Sequence, residues 1–339
     1  MKKYSTYVCF TRTYVLYLIM SKIYNPFISL RYKLTTGLVN SRGMYHNVVQ
    51  KGNVGSGYIY ALQHHSTDNY VFRARPQDQI TYGDEVIKFT GNLAGGHTQT
   101  WEYANKPGCW FIGTKGKLGS GNYYWDTQIA RVKIPGRANY DSNTELPRLS
   151  HLNLAGGFGL SGADLDRSEA AVSPNYLYFL VSVIDKSGNG YFSLYYLNDI
   201  NNALDAAGTT NVNIGTLPVI RSFVIPSLTD RNVIGSIQGI DLDDNLNIYI
   251  SNEYSPSDFA TDSEPRDIYK IPWGTTTPDM WEDIDLTDNY TIDFGGHPTE
   301  LESVQVISEN HLYLTVAYHG SLSTGKWGTV ANRIYEVQW

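Results

Sequence analysis

Six short runs in the C-terminal third of the chain carry the strongest structural signal: SIQGIDL (236–242), NIYIS (247–251), DIYKIPW (267–273), ESVQVI (302–307), HLYLTVAY (311–318) and RIYEVQW (333–339). Each is rich in β-branched and aromatic residues, which favours β-strands. The last run of each set of three places Tyr, an aliphatic residue and Trp at alternate positions, so that the three share one face of a strand. One unit of three strands used twice predicts a repeat architecture.

The composition agrees with many aromatic strands joined by tight turns. The chain has 339 residues, of which 27 are Tyr and 31 are Gly, and only 17% are charged. Cys9 and Cys109 are too few for a disulfide framework. The sequence contains no catalytic triad signature, no metal-spaced His/Cys cluster and no phosphate loop, so we expect no cofactor, no bound metal and no nucleic-acid partner.

The same pattern extends upstream and predicts five units. Three further sets of four runs precede the six above: 46–50, 58–62, 70–74 and 85–89; 98–103, 109–113, 128–134 and 148–152; 169–172, 176–183, 191–197 and 219–225. Residues 281–286 give the fourth unit its last strand, and the isolated run Phe27–Leu34 supplies the strand that the fifth unit lacks. We therefore predict an all-β, five-bladed β-propeller whose last blade is completed by an N-terminal strand.

A two-sheet β-sandwich, or two smaller β domains, is the alternative fold. The second run of each unit is apolar on both faces, which favours blades covered on both sides. We expect one domain over residues 21–339, with one helical insertion at Leu197–Ala207 in the third blade. Residues 1–20 are interpreted as an extension or non-native leader. Their apolar stretch 15–20 lacks a cleavage site and is too short to span a membrane, and we expect no membrane span.

Two motifs have ordinary structural interpretations. Residues 157–162 match G-x-G-x-x-G, but no amphipathic helix follows, so we expect a loop between blades instead of a dinucleotide site. Residues 241–247 (DLDDNLN) resemble the start of a calcium loop but lack its Gly and final Glu. We interpret them as a hairpin turn in the fourth blade, with Ca²⁺ binding as the alternative.

Gly-Gly-His occurs at 95–97 and 295–297, and Gly-Gly-Phe at 156–158, each between the outer strand of one blade and the inner strand of the next. The structural interpretation is a turn in which glycines allow close backbone approach. The functional alternative is a ligand site where these crossings meet the ring axis. Its predicted ligand-binding residues are His97, Gln99, Trp101, Glu169, Gln238, Glu302 and Gln305.

Carboxylates and aromatic residues suggest what such a site could do. Paired carboxylates near the axis would suit a glycosidase, for which the candidates are Glu102, Glu169, Asp241 and Glu302. Tyr123-Tyr124-Trp125, on a Gly-rich hairpin, would either stack on sugar rings or fill space within a blade. No specific catalytic motif is present, so we predict a protein without enzymatic activity.

Several stretches of the sequence resemble the helveticin J family. They are HNVVQKGNVGS (46–56), GGHTQTWE (95–102), QIARV (128–132), EAAVSPNY (169–176), SIQG with NIYIS (236–239 and 247–251), and ENHLYLTVAYH (309–319). The resemblance covers about residue 46 to the C-terminus.

This resemblance implies a class III bacteriocin, which is a large, heat-labile, secreted protein that kills close relatives of the producing lactic acid bacterium. It assigns no catalytic residue. We expect the partner to be a cell-envelope component, either a glycan or a teichoic acid, together with an immunity protein in the producer. The alternatives are a wall-active glycosidase and a lectin-like module without killing activity.

Overall fold

The computed structural model describes residues 21–35, 47–256 and 265–339. In these residues five small sheets stand in a ring and form a five-bladed β-propeller, which confirms the predicted fold class. The innermost strands of the five blades contact one another in succession around a common axis. The predicted extension or leader at 1–20, and His46 in the first predicted run, lie outside the described residues.

The described chain opens with two strands, β1 (Ser21–Ile23) and β2 (Phe27–Thr35), that join blades formed near the C-terminus. Blades 1 and 2 follow, each built from antiparallel strands in order from the axis outward. Blade 1 contains β3 (Val49–Val54), β4 (Ile59–His65), β5 (Asp68–Ala74) and β7 (Ile87–Phe89), and blade 2 contains β8 (Trp101–Tyr103), β9 (Cys109–Leu118), β10 (Tyr124–Lys133) and β12 (Arg148–Ser150).

Blades 3 to 5 repeat this plan. Blade 3 contains β13 (Leu165–Val172), β14 (Tyr178–Asp185), β15 (Gly190–Tyr196) and β17 (Arg221–Ile225). Blade 4 contains β18 (Ile237–Leu242), β19 (Ile248–Asn252), β20 (Asp267–Ile271) and β21 (Glu282–Asp285). Blade 5 contains β22 (Thr299–Ser308), β23 (His311–Ser321) and β24 (Trp327–Gln338).

The N-terminal strand β2 completes blade 5, as the sequence predicts. It pairs with β24 in antiparallel register, from Phe27 opposite Gln338 to Leu34 opposite Asn332. This pairing joins the two ends of the described chain within one sheet. It also covers the β24 edge, which would otherwise be open to pairing with another chain.

Four blades carry a fifth, parallel strand at the outer edge that the sequence did not predict. These strands are β1 on β21, β6 (Gln79–Thr81) on β2, β11 (Asn139–Tyr140) on β7, and β16 (Asn211–Asn213) on β12. Each of these edge strands comes just before the fourth strand of the following blade in the sequence. Strands of two or three residues are too short to show an alternating pattern, which explains why they were missed.

The main helix is α2 (Leu197–Ala207), within the bounds predicted from sequence. It lies between β15 and β17 and buries Leu197, Ile200 and Leu204, which recur at helical spacing on one face. None of the helices in the described ranges has the length and hydrophobicity needed to cross a bilayer. Within the described part of the chain, the other helical segments are α1 (Gly91–Ala94) and five 3₁₀ turns at Ser120–Asn122, Asn143–Glu145, Leu152–Gly157, Ile214–Thr216 and Pro278–Met280.

The hydrophobic core is divided into five clusters, one between each pair of neighbouring blades. Blade strands are therefore covered on both faces, which explains their two-sided apolar pattern. The repeated aromatic face is also confirmed. Tyr269 and Trp273 pack between blades 3 and 4, and Tyr335 and Trp339 pack at the equivalent position between blades 4 and 5.

Candidate functional site

The inner strands of the five blades begin at the same end of the ring axis. A cavity of about 440 Å³ lies at this end, and we call it the start mouth. Every blade contributes to its lining. The contributing residues are Gln50 from blade 1, His97 and Trp125 from blade 2, Arg167 from blade 3, Gln238 from blade 4 and Glu302 from blade 5.

Arg167 lies in the floor of the start mouth and connects three blades. Its Nε donates to Glu169 Oε1 (3.2 Å), its Nη1 to the Ile237 carbonyl (2.7 Å), and its Nη2 to Gln99 Oε1 (2.5 Å) and the Gln238 carbonyl (2.7 Å). Only 6% of the side chain is exposed. Charge-assisted bonds of this kind are stronger than neutral ones, so Arg167 fixes the geometry of the floor.

The Glu169 carboxylate is the acceptor that holds this floor together. Besides Arg167, it accepts bonds from the Gln99 N–H (3.1 and 3.2 Å) and from the hydroxyls of Thr98 (3.2 Å) and Thr100 (2.6 Å). A buried carboxylate costs free energy unless it is paired and hydrogen-bonded, and here both conditions are met. Glu169 therefore positions its neighbours and has little capacity left for a ligand.

Glu302 is the second buried carboxyl group of the floor. Its Oε2 accepts a bond from Gln99 Nε2 (2.9 Å), and the same amide reaches Gln238 Oε1 (3.2 Å). Burial, reinforced by the nearby Glu300 carboxylate, raises the pKa of Glu302 well above its usual range. The raised pKa favours the protonated form of Glu302, and a protonated carboxyl can donate a hydrogen bond as well as accept one.

One wall of the start mouth is aromatic. The His97 ring stacks on Trp125 (centroids 4.4 Å apart) and meets the edge of Tyr123 at 5.0 Å, and Tyr123 is 47% exposed. Burial, together with His64 and Arg167, lowers the pKa of His97 well below its usual value. The neutral ring bonds to Gln50 Oε1 through Nε2 (2.7 Å), and its Nδ1 has no hydrogen-bond partner in the described residues.

The Gly-Gly of residues 95–96 allows the backbone to pass close to its neighbours. A Cβ on Gly95 would lie 2.3 Å from the Thr67 carbonyl oxygen, and one on Gly96, where φ is +150°, would lie 1.9 Å from Asp126 Oδ1. Both Asp126 carboxyl oxygens are buried without a partner in the described residues, and burial raises the Asp126 pKa well above its usual value. The motif therefore has the structural role predicted for it, and it also brings His97 to the mouth.

The seven predicted ligand residues do not converge at one site. His97, Gln99, Glu169, Gln238 and Glu302 meet at the start mouth, whereas Trp101 and Gln305 do not. Trp101 is fully buried between blades 1 and 2, where it stacks on Trp110 at 5.1 Å. Gln305 lies at the other end of the axis, where its amide bonds to the backbone N–H and carbonyl of Val54 (2.7 and 3.2 Å).

Sequence reasoning missed Arg167 and Gln50. Arg167 is two positions before Glu169, so the two share a face of β13, but the predicted strand began only at Glu169 and left Arg167 out. Gln50 belongs to the first predicted run, where no signal distinguished it from its neighbours. Its partner His97 is 47 residues away in sequence.

The opposite end of the axis, where the inner strands finish, encloses a second cavity of about 410 Å³, which we call the end mouth. It contains Glu102 and Asp241, so the four predicted glycosidase carboxylates fall into two pairs at opposite ends. Lys51 lies between the two mouths, fully buried, 2.8 Å from Glu102 Oε1, and donates to the Val304 carbonyl (2.6 Å).

The segment 241–247 is the predicted hairpin turn between β18 and β19. The Asp243 carboxylate accepts bonds from the N–H groups of Asn245 and Asn247 and from the Tyr249 hydroxyl (2.8 to 2.9 Å). Asp241 turns away and accepts from the Val306 N–H. Its oxygens thus do not join those of Asp243, and the described ranges hold no group of three or more His, Cys, Asp or Glu placed to bind a metal.

The family model for bacteriocin helveticin-J matches residues 22–339, which includes β2 and extends the resemblance upstream of residue 46. Bacteriocin helveticin-J of Lactobacillus helveticus is 39% identical over 314 residues, covering 87% of this chain and 93% of that protein. The chain belongs to the helveticin J family. This family assignment agrees with the resemblance found in the sequence.

Solved structures show only distant similarity. The catalytic domain of a GH62 α-L-arabinofuranosidase from Coprinopsis cinerea is 10% identical, with a TM-score of 0.49, over 91% of this chain and 97% of that one. The α-L-arabinofuranosidase PaAbf62A from Podospora anserina, solved with cellotriose, is also 10% identical, with a TM-score of 0.49, over 91% and 96%. At this level these similarities carry no information about what this chain binds.

Proposed function

We propose that this helveticin J family member is a secreted bacteriocin that binds a cell-wall carbohydrate of related bacteria at the start mouth and then kills the cell. The family match supports the antibacterial role. Envelope damage would follow binding. We also expect an immunity protein that protects the producer.

The observation that carries the binding site is an aromatic wall beside a polar floor within one cavity. Sugar rings stack on aromatic faces, and their hydroxyls need donors and acceptors in fixed positions. Tyr123, Trp125 and His97 provide the wall. Glu302 and Gln238 provide floor groups whose orientation is set by Gln99 and Arg167. A fixed floor lowers the entropy cost of binding.

Sedimentation with purified cell walls of a sensitive strain tests this proposal. Wild-type protein is expected to sediment with the walls, and Tyr123→Ala and Glu302→Ala are expected to remain largely in the supernatant. Tyr290→Ala is the matched control, because Tyr290 is 86% exposed and does not line the start mouth. Undiminished wall binding by both mouth variants would contradict the proposed site.

A growth-inhibition assay with the purified protein separates a bacteriocin from a lectin-like module. The proposal predicts clearing on a lawn of a related strain, with a weaker effect for Tyr123→Ala. Binding to walls without any growth inhibition would leave only the carbohydrate-binding part of the proposal.

A wall-active glycosidase is the second candidate, and the carboxyl groups on either side of Gln99 favour it. Burial raises the pKa of Glu302, which favours its acid form, and Glu169 is ion-paired with Arg167. Glycosidases use one carboxylic acid and one carboxylate. An enzyme would release soluble fragments from isolated walls and lose this release in Glu302→Gln. A binding protein would leave the walls intact.

A further inference from the structure

The end mouth has aromatic walls. Tyr60 packs against Trp110 with ring centroids 4.4 Å apart, and Tyr103 lies 5.4 Å from Trp110. Tyr176 adds an edge-to-face contact to Tyr103 at 5.7 Å and is 42% exposed at the rim. Together with the 410 Å³ volume, these rings form a cleft of a size suited to a single sugar ring.

The floor of the end mouth is polar but nearly neutral. Glu102 is ion-paired with Lys51 at 2.8 Å, so their charges cancel. Burial and the nearby Glu102 raise the pKa of Asp241 to about 8, so Asp241 is mostly protonated at neutral pH. Asn53 and Gln305 supply amide groups to the lining. Such a floor favours hydroxyl groups over a cation, because no uncompensated negative charge is present.

Positive charge lies beside this rim, on two arginines that contact a lining residue but are not themselves part of the cavity lining. The guanidinium groups of Arg73 and Arg75 lie 4.5 and 4.7 Å from the ring centroid of Tyr58, which lines the cavity. Arg73 is the cross-strand partner of Tyr60, and Arg75 Nη1 bonds to the Gly57 carbonyl (3.5 Å). Arginine binds phosphate well because its planar fork matches the geometry of the phosphate oxygens.

Tyr176 is held in an unfavourable backbone conformation at this rim. Its φ is +59°, in the left-handed region where side chains are disfavoured, and the Tyr176 N–H donates to the Ser173 carbonyl (2.8 Å). A glycine would adopt this turn without strain. Strain of this kind persists where the surrounding structure enforces it and is concentrated at ligand sites.

We propose that the end mouth is a second binding site, separate from the start mouth, which takes a phosphorylated sugar with the pyranose ring among Tyr60, Tyr103, Trp110 and Tyr176 and the phosphate at Arg73 and Arg75. The two cavities have no lining residue in common, so the site is separate from the start mouth. A chain with a binding site at each end of the ring could hold two segments of an envelope polymer at once.

Isothermal titration calorimetry of the full chain with glucose 1-phosphate, glucose and inorganic phosphate tests the site. We expect glucose 1-phosphate to bind at least tenfold more tightly than glucose or phosphate alone. The double substitution Arg73→Ala/Arg75→Ala should remove the advantage of glucose 1-phosphate over glucose. Tyr176→Gly should weaken both sugars at least fivefold, while its melting temperature stays equal to or above that of wild type.

One control locates the effect. Tyr290→Ala, on the surface and outside both cavities, should bind glucose 1-phosphate as wild type does. Failure of the wild type to bind either sugar, or unchanged binding by Tyr176→Gly, would overturn this site and leave the start mouth proposal standing. Loss of sugar binding in Tyr123→Ala alone would place the sugar at the start mouth and also overturn it.

Discussion

Replacement of Arg167 is the most demanding test of the start-mouth floor. Arg167→Ala removes the donors to Glu169, Gln99, Ile237 and Gln238 and leaves the Glu169 carboxylate buried without its cation. Breaking a buried ion pair from one side costs about 3–5 kcal/mol, because the remaining charge loses its compensation. We therefore expect the free energy of unfolding to fall by about that amount.

Urea unfolding followed by tryptophan fluorescence measures this loss, and a double-mutant cycle locates it. The cycle consists of Arg167→Met, Glu169→Gln and the double variant. Both charges are absent in the double variant, so it should be more stable than the sum of the two single losses predicts, by about 1–3 kcal/mol. Arg137→Ala is the matched control. Arg137 is half exposed and pairs with an exposed Glu145, so we expect no change in the urea midpoint. An Arg167→Ala midpoint close to that of wild type, or no coupling in the cycle, would refute the role assigned to Arg167.

Three further predictions concern the fold. Removal of residues 1–35 exposes the β24 edge and the core beneath β2, so the truncated chain should lose its cooperative melting by circular dichroism; a native-like melt would contradict ring closure. Trp101→Ala should lower the unfolding free energy by about 3–5 kcal/mol in urea titrations, because it removes a fully buried ring. The affinity of the folded protein for cell walls should not change, and a loss of affinity would show that Trp101 takes part in binding. Burial raises the pKa of Asp241 to about 8 and those of Glu253 and Asp267 to about 7, so the folded chain retains protons that the unfolded chain releases. Stability should therefore rise as pH falls from about 8 to about 7, and a melting temperature that falls over this interval would contradict this.

Repetition explains why the fold was predictable from one sequence. The strands RIYEVQW and DIYKIPW show the same aromatic face, and the lone run Phe27–Leu34 matched the one missing strand. The parallel edge strands, such as β11 with two residues, show no alternation and could not be found in this way.

The candidate site was less predictable, because its contacts join residues far apart in sequence. Five of the seven residues predicted from the starts of the inner strands lie together at one mouth, and their role in binding stays a prediction. The same rule misplaced Trp101, because alternation within a strand does not reveal whether a side chain faces the axis or the neighbouring blade. It also misplaced Gln305, which lies late enough in the ten-residue strand β22 to reach the other end of the axis.

Hydrogen–deuterium exchange of the full chain, with and without soluble wall fragments from a sensitive strain, tests whether the start mouth binds the cell wall. We expect slower exchange on binding in the segments that form the start mouth, residues 97–101, 119–126, 165–169, 235–238 and 299–302. The same fragments should leave the outer strands β12 and β21 unchanged. Protection from exchange confined to the outer strands would contradict binding at the start mouth. So would the absence of any protection at fragment concentrations that block the protein's inhibition of bacterial growth.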